Sequence, residues 1–452
     1  MHLLQITKQF LNSKIGIDKA IGYTLIGRIV QAAGSIISLS LIASFLTKEE
    51  QGFYYTFGSI LAIQIFFELG FNGIITQYAA HETAHISTYE YSAKEPERKA
   101  QSRLSSLLRF CLRWFSLLSL GLFIILLVVG YVFFAKYGHE ANVTWELPWV
   151  ILVINTCFSF VLAPIFSFLE GLGRVKAIAK LRVVQQLVSL IILWTMLSLG
   201  GKLYSGPIAG IGSLGVTLVI LVFSDFKKIL IKIWNLHDKW KVNYKSEIFP
   251  YQWKIAISWM SGYFIFQLFN PVLFATEGAV VAGQMGMTLA ALNGVSGLTI
   301  SWMTTKVPVF SKLFAQLEFK FADKLFSKTF KQVLAINLAG VLSLLVIVFL
   351  LRYYHISLGE RFLPMYLIAL LGVSIFLNQM VFSWATYLRC HKKEPYLVAS
   401  VVGALLVGTS TIVLGKLFGV NGLVIGYVTI ITMMKLWEYR IFITSKKLWH
   451  GQ

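Results

Sequence analysis

The chain has 452 residues, 57% of them hydrophobic and only 13% charged, with a formal net charge of +20. A soluble protein carries about 25% charged residues, so an ordinary globular domain is excluded. Three cysteines far apart in the chain, Cys111, Cys157 and Cys390, exclude a disulfide framework and a metal-binding spacing. Apolar runs of roughly 20 residues recur along nearly the whole length, which marks an all-α polytopic membrane protein.

From Met1 to Lys19 the chain is mildly amphipathic. It lacks the short apolar run and small-residue cleavage site of a secretion signal and is expected to lie on the membrane surface. Twelve spans are then expected, near residues 20–46, 52–81, 107–135, 147–170, 177–199, 204–224, 251–275, 279–305, 330–351, 361–388, 396–415 and 420–443. In the first span Thr24, Arg28, Gln31, Ser35 and Ser38 alternate spacings of four and three, which places them on one helical face. A polar stripe inside a membrane turns toward protein or water, because hydrocarbon solvates none of it. Arg28 lies roughly 12 Å inside its span at 1.5 Å per residue, near the limit of snorkelling. On the second span Gln64, Glu68 and Asn72 repeat every four residues and bring Glu68 to a similar depth. Glu68 is therefore either the ion partner of Arg28 or a protonatable coupling site.

The segment from Asp225 to Pro250 is long and basic and divides the spans six and six. An N-terminal lobe over 1–226, a cytoplasmic linker over 227–250 and a C-terminal lobe over 251–452 are expected. The halves open alike. Phe45 to Glu49 closes the first span and Phe274 to Gly278 the seventh, and Gly52 and Gly283 then begin long partner helices. In the seventh span Lys254 holds about the place that Arg28 holds in the first. Asn270-Pro271 removes a backbone donor in mid-membrane and predicts a hinge. With both termini cytoplasmic, the large majority of the 40 Lys and Arg fall on the cytoplasmic side. The basic charge is then a matter of topology and anionic lipids rather than nucleic acid. Asn155, Gln267, Asn293, Asn337, Asn378 and Gln379 sit at mid-span and are candidates either for a cavity wall or for interhelical hydrogen bonds. Lys435 and Glu438, three apart, are expected to satisfy each other.

Three stretches carry a family likeness: FLTKEEQGFYYTFGSILAIQIFFELGFNGIITQYAA, FLEGLGRVKAIAKLRVVQQL and WMTTKVPVFSKLFAQ. Together with the span count and the six-plus-six division, the chain resembles the Wzx-like polysaccharide flippases of the MOP superfamily, relatives of MATE transporters. It lacks the two additional helices of peptidoglycan-precursor flippases. The resemblance implies two bundles around a cavity that opens alternately to each side of a bacterial inner membrane. The cargo it implies is a polyprenyl-pyrophosphate-linked oligosaccharide for O-antigen, capsule or exopolysaccharide, moved by a monomer with H+ or Na+ as a possible coupling ion. In such a cavity Thr24, Arg28, Gln31 and Lys254 are the candidate substrate contacts, since a guanidinium fork suits phosphate oxygens.

No nucleotide-binding glycine loop, zinc motif or serine-nucleophile motif is present, so neither a cofactor nor catalysis is expected. Two alternatives remain. A MATE-type cation antiporter needs an acid deep in the first span, yet Asp18, Asp225, Asp238 and Asp323 all lie at or beyond span ends. A membrane glycan polymerase or ligase needs a substantial outer loop, and the outer loops here are short.

Overall fold

A computed structural model describes residues 23, 26–27, 30–31, 33–86, 94–139, 142–236, 238–391 and 393–450. Sixteen helices carry the architecture among these residues: α1 (Ala33–Phe45), α2 (Lys48–Leu61), α3 (Ile65–Glu68), α4 (Phe71–Thr83), α5 (Glu95–Tyr137), α6 (Glu146–Leu169), α7 (Val175–Ser198), α8 (Ser205–Phe223), α9 (Asp225–Asn235), α10 (Phe249–Phe266), α11 (Phe269–Glu277), α12 (Ala279–Thr304), α13 (Val307–Ala315), α14 (Phe319–Tyr353), α15 (Met365–Arg389) and α16 (Leu397–His450). No strand occurs among the described residues.

Among the described residues, six stretches are long and apolar enough to cross a membrane, and α2 to α4 add a seventh as one bent span. The protein is therefore a multi-pass membrane protein. Two of the six stretches fold back on themselves. Asn155 of α6 donates to Pro207 O of α8 at 2.8 Å, while a methyl on the neighbouring Gly212 would sit 2.1 Å from Ile192 of α7. In one straight helix Asn155 and Ile192 would lie about 55 Å apart, so the chain reverses at the π turn Glu170–Arg174. Gly173 sits there at φ 82°, a conformation that glycine adopts without strain. Within α16 a methyl on Gly403 would lie 3.1 Å from Met434, and one on Gly426 2.4 Å from Ser410 Oγ. The reversal is at Gly419, φ 58°, and Glu277 Oε1 caps the second arm by accepting from Val420 N at 3.0 Å.

Two expected features change. The second span is not one helix: Leu69 and Gly70 both take left-handed conformations, and the segments on either side differ in direction by 42°. A methyl on Gly70 would strike Ile255 at 2.5 Å, so α10 packs directly on the break. The seventh span breaks at Gln267–Leu268, and Pro271 falls in the first turn of α11. The proline ring excludes the carbonyl of residue 267 from a continuous helix, and in a first turn its missing N–H costs nothing. The break therefore precedes Asn270-Pro271 by one turn.

The halves meet along α2, α11 and α12. A methyl on Gly52 would stand 2.0 Å from Ala279 O, and one on Gly283 2.9 Å from Gly52 N. Gly52 near the start of α2 and Gly283 near the start of α12 thus face each other, and only the absence of side chains lets the backbones approach this closely.

Candidate functional site

A cavity of about 490 Å³ is walled by α2 from the N-terminal half and by α10, α11, α12, α15 and α16 from the C-terminal half. The backbone geometry opens it. The break at Gln267–Leu268 offsets α11 from α10, and Gly286 admits Tyr55, whose Cβ would lie 2.3 Å from a methyl there. None of the described residues that line it is charged. Its polar groups are amides and hydroxyls: Gln267, Asn270, Asn293, Asn378, Gln379, Ser59, Ser296, Tyr55 and Tyr427. Asn378 Nδ2 donates to Tyr427 OH at 2.9 Å. Asn270 Nδ2 donates across the halves to Ser59 Oγ at 3.1 Å. Asn337 Nδ2 donates to Thr299 Oγ1 at 3.3 Å, which in turn donates to Gln379 Oε1 at 3.1 Å. Asn270 Oδ1 and Gln379 Nε2 are buried without a hydrogen-bond partner among the described residues, one acceptor and one donor on the cavity wall. A buried amide left unpaired is costly, so the wall is built to meet a polar guest or water.

A smaller cleft of about 170 Å³ lies between the first span and α12, lined by Gln31, Ser35, Asn293, Gly294 and Gly297 among others. It shares Ala290 and Asn293 with the larger cavity. Gln31, expected on the polar face of the first span, therefore does face the opposite half. Thr24 and Arg28 lie outside the described residues. Lys254 is exposed on α10, its ammonium 5.6 Å from the Trp253 ring, and lines neither cavity. Glu68 also lines neither. It is half-buried at the break in the second span, where its Oε1 accepts from Asn72 Nδ2 at 2.7 Å. Of the mid-span amides, Gln267, Asn293, Asn378 and Gln379 reach the cavity, whereas Asn155 and Asn337 bond between helices. Asn270 is a cavity residue as well as the neighbour of a helix break. Sequence reasoning missed Tyr55, Ser59 and Tyr427. The i, i+4 spacing of Tyr55 and Ser59 on α2 is the signal that was available.

Contacts join the halves toward both ends of the interface near the cavity. At the end where α2 and α12 begin, Lys48 pairs with Glu360 at 2.9 Å, Arg361 donates to Leu46 O at 2.7 Å, and Gln51 Nε2 donates to Gly283 O at 2.8 Å. Lys48 holds the Glu360 carboxyl below its ordinary value, and burial lowers the Arg361 guanidinium. Toward the opposite end, which carries the linker, Phe66 packs edge-on against Tyr263 and Phe264 at 5.0 and 5.7 Å. Lys435 and Glu438 pair with each other on α16, as their spacing predicts. Glu170 pairs with Arg182 at 2.9 Å rather than with Arg174 one turn away.

Neither a protein-family sequence profile nor a curated relative matches the chain. Its fold does match solved structures. The lipid II flippase MurJ, in an inward closed conformation, is 14% identical over 94% of this chain and 89% of that chain, with a TM-score of 0.55. A multidrug resistance MATE-family transporter of the MOP superfamily, outward-facing, is 13% identical over 95% and 96%, with a TM-score of 0.54. The Vibrio cholerae MATE transporter VcmN in its bent form is 14% identical over 95% and 97%, with a TM-score of 0.51. Across nearly its whole length the chain has the all-helical fold of MOP-superfamily transporters.

Proposed function

We propose that the protein is a twelve-span flippase, not an enzyme, that carries a polyprenyl-pyrophosphate-linked oligosaccharide across a bacterial inner membrane, with both termini cytoplasmic. The observation that carries this reading is the wall of the larger cavity, rich in amides and aromatic rings and free of charge among its described residues. Sugar hydroxyls both donate and accept hydrogen bonds, and amides answer both roles. Aromatic faces suit the apolar faces of pyranose rings. A cation antiporter calls for a carboxylate where its cargo rests, and the described wall offers none. The fold serves multidrug transport in some solved structures and lipid II flipping in another, so the fold alone leaves the cargo open. Amides and hydroxyls set among apolar and aromatic side chains, with no carboxylate among the described lining residues, favour a glycan over a cation.

In this mechanism the sugar enters the neutral cavity from the linker end while the lipid tail stays in hydrocarbon. Arg28 is the proposed partner of the pyrophosphate, with Thr24 and Gln31 on the same helical face. Lys254 marks the entrance, and the break before Asn270-Pro271 is the proposed hinge. Glu68 is the proposed proton site, or the ion partner of Arg28. Opening toward the outer face requires release of the Lys48–Glu360 and Arg361–Leu46 contacts.

The test is deletion of the gene in a strain without a second flippase. Lipid-linked oligosaccharide should accumulate in the cytoplasmic leaflet and surface glycan should fall. Normal surface glycan together with lost drug resistance would replace this reading with drug efflux. Arg28→Ala should abolish export at normal membrane abundance, and Arg28→Gln/Glu68→Gln should stay inactive. Full recovery in the double variant would reduce Arg28 to a structural ion partner.

A further inference from the structure

At the linker end, well away from the cavity, one face of α5 changes character in an ordered way. Ser102 and Ser106 come first, then Arg109 and Arg113, then Trp114, and then Leu117, Leu120 and Ile124. Steps of three and four keep Ser102, Ser106, Arg109, Arg113, Leu117, Leu120 and Ile124 on one stripe of the helix, with Trp114 beside Arg113 at its edge. Trp114, Leu117, Leu120 and Ile124 are exposed on a helix that crosses the membrane, so that part of the stripe faces lipid.

Over the polar part of the stripe lies the segment between α9 and α10. Three hydrogen bonds staple it there. Ser102 Oγ donates to Trp240 O at 2.7 Å and accepts from Asp238 N at 2.9 Å, and Ser106 Oγ accepts from Val242 N at 3.3 Å. Lys241, held between Trp240 and Val242, is thereby fixed opposite the arginines. The enclosed groove is about 470 Å³ and is lined by Arg109, Arg113, Lys241, Phe110, Trp114 and Trp240 among others. Its one carboxylate, Asp238, is 3.4 Å from Arg98 Nε, so the groove keeps a net positive charge. Arg109 is anchored against Trp234, its guanidinium 4.8 Å from the ring centre.

We propose that this groove binds the headgroup of an anionic phospholipid, with the phosphate between Arg113 and Lys241, the glycerol region beside Trp114 and an acyl chain along Leu117, Leu120 and Ile124. Three cations supply the charge complement, and the exposed aliphatic stripe that continues out of the groove selects a lipid over a soluble anion. Indole rings favour the boundary between headgroups and acyl chains, which is where Trp114 stands. The site lies on the segment joining the two halves and is separate from the transport cavity, and it requires only that the chain be embedded in a membrane.

The test uses full-length protein in nanodiscs of neutral phosphatidylcholine, with phosphatidylglycerol carrying brominated acyl chains added in steps. The quenching of Trp114 is isolated as the difference between wild type and Trp114→Phe. Quenching by brominated phosphatidylglycerol should saturate at a low mole fraction, and brominated phosphatidylcholine should quench weakly. Arg113→Gln/Lys241→Gln should raise the half-saturating mole fraction roughly twenty-fivefold, since each cation near a membrane surface contributes about a factor of five. Both side chains are exposed, and a monodisperse elution profile confirms that the variant folds. Soluble glycerol phosphate should not compete. Equal quenching by the two lipids, an unchanged double variant, or full competition by glycerol phosphate would each overturn the proposal.

Discussion

The two halves of the chain end in different chemistry at the linker side. In the N-terminal half Arg103 of α5 lies between two carboxylates, 2.8 Å from Glu82 of α4 and 2.5 Å from Glu247 of the linker. In the C-terminal half Asp323 of α14 accepts from Tyr387 OH at 2.6 Å and pairs with Lys446 at 3.0 Å, with His450 3.6 Å away. His450 Nε2 meets His391 Nε2 at 3.3 Å, and His391 stacks on Phe314 at 3.8 Å. One network ties its half to the linker with permanent charges. The other ties the last helix to α14 and α15 through imidazoles that stay neutral because they are buried. The linker-side ends of the two halves therefore answer pH differently.

The largest test concerns the point where the halves touch. Gly52→Leu should abolish transport and lower the melting temperature, because its side chain would displace the α12 backbone at Ala279 O; overpacking of this kind costs about 1–3 kcal/mol or more. Gly283→Leu should fail in the same way, whereas Gly215→Ala, with nothing within 4 Å, should behave as wild type. Growth complementation together with thermal melts in detergent distinguishes them. A functional Gly52→Leu would show that the two halves do not need to close at this crossing.

Arg103→Ala should cost about 3 kcal/mol, since it leaves the buried Glu82 without a counter-charge. Lys446→Ala should cost less, because Asp323 keeps the Tyr387 hydroxyl. Equal losses in a denaturant titration would erase the distinction between the networks.

At the hairpin turns, Gly419→Ala should destabilise by about 2 kcal/mol. The added methyl would overlap Glu277 Oε1 at 1.4 Å on a backbone held at φ 58°. The link between α7 and α8 is held instead by an ion pair of Lys202, largely exposed, with Glu50 at 3.2 Å. Lys202→Ala should lower the melting temperature less than Arg103→Ala does, because the buried Glu50 keeps the hydrogen bond from Thr47 N.

The smallest effect follows from pH. Burial lowers the His391 imidazole to about 4, with repulsion from His450 and Lys393 adding to it, and burial lowers His450 as well. An unfolded histidine titrates near 6.5. The imidazoles therefore contribute stability that is fully present above about 6.5 and is lost as pH falls toward 4. The Glu247 carboxyl is held below its ordinary value by Arg103, and its contribution fails only below about 4. Between pH 7.5 and 5.5, hydrogen-exchange protection, corrected for the intrinsic slowing of amide exchange at lower pH, should fall in the segment of α16 near His450 and stay constant near Arg103. His391→Phe, which retains the stacking on Phe314, should flatten that response.

The sequence by itself determined the membrane class, the helical content and most of the helix positions, because a span announces itself by local apolarity alone. It also picked out Gly52 and Gly283 as corresponding positions, and four of the amides that line the cavity. What it did not contain was which residues meet across helices. Three helices of the cavity wall fail the simple test of length and apolarity, since α10 and α11 are broken and α12 is rich in glycine and amides, whereas α15 and α16 pass it. A wall built to hold a polar guest surrenders the apolarity by which spans are recognised. Tyr55, Ser59 and Tyr427 belong to that wall only because α2 and α16 are brought against α12 and α15. The stripe of Gln64, Glu68 and Asn72 assumed a straight helix, and two left-handed residues interrupt it. Packing of α10 on Gly70 accompanies that break, and a contact between residues nearly two hundred positions apart is visible only in the tertiary structure.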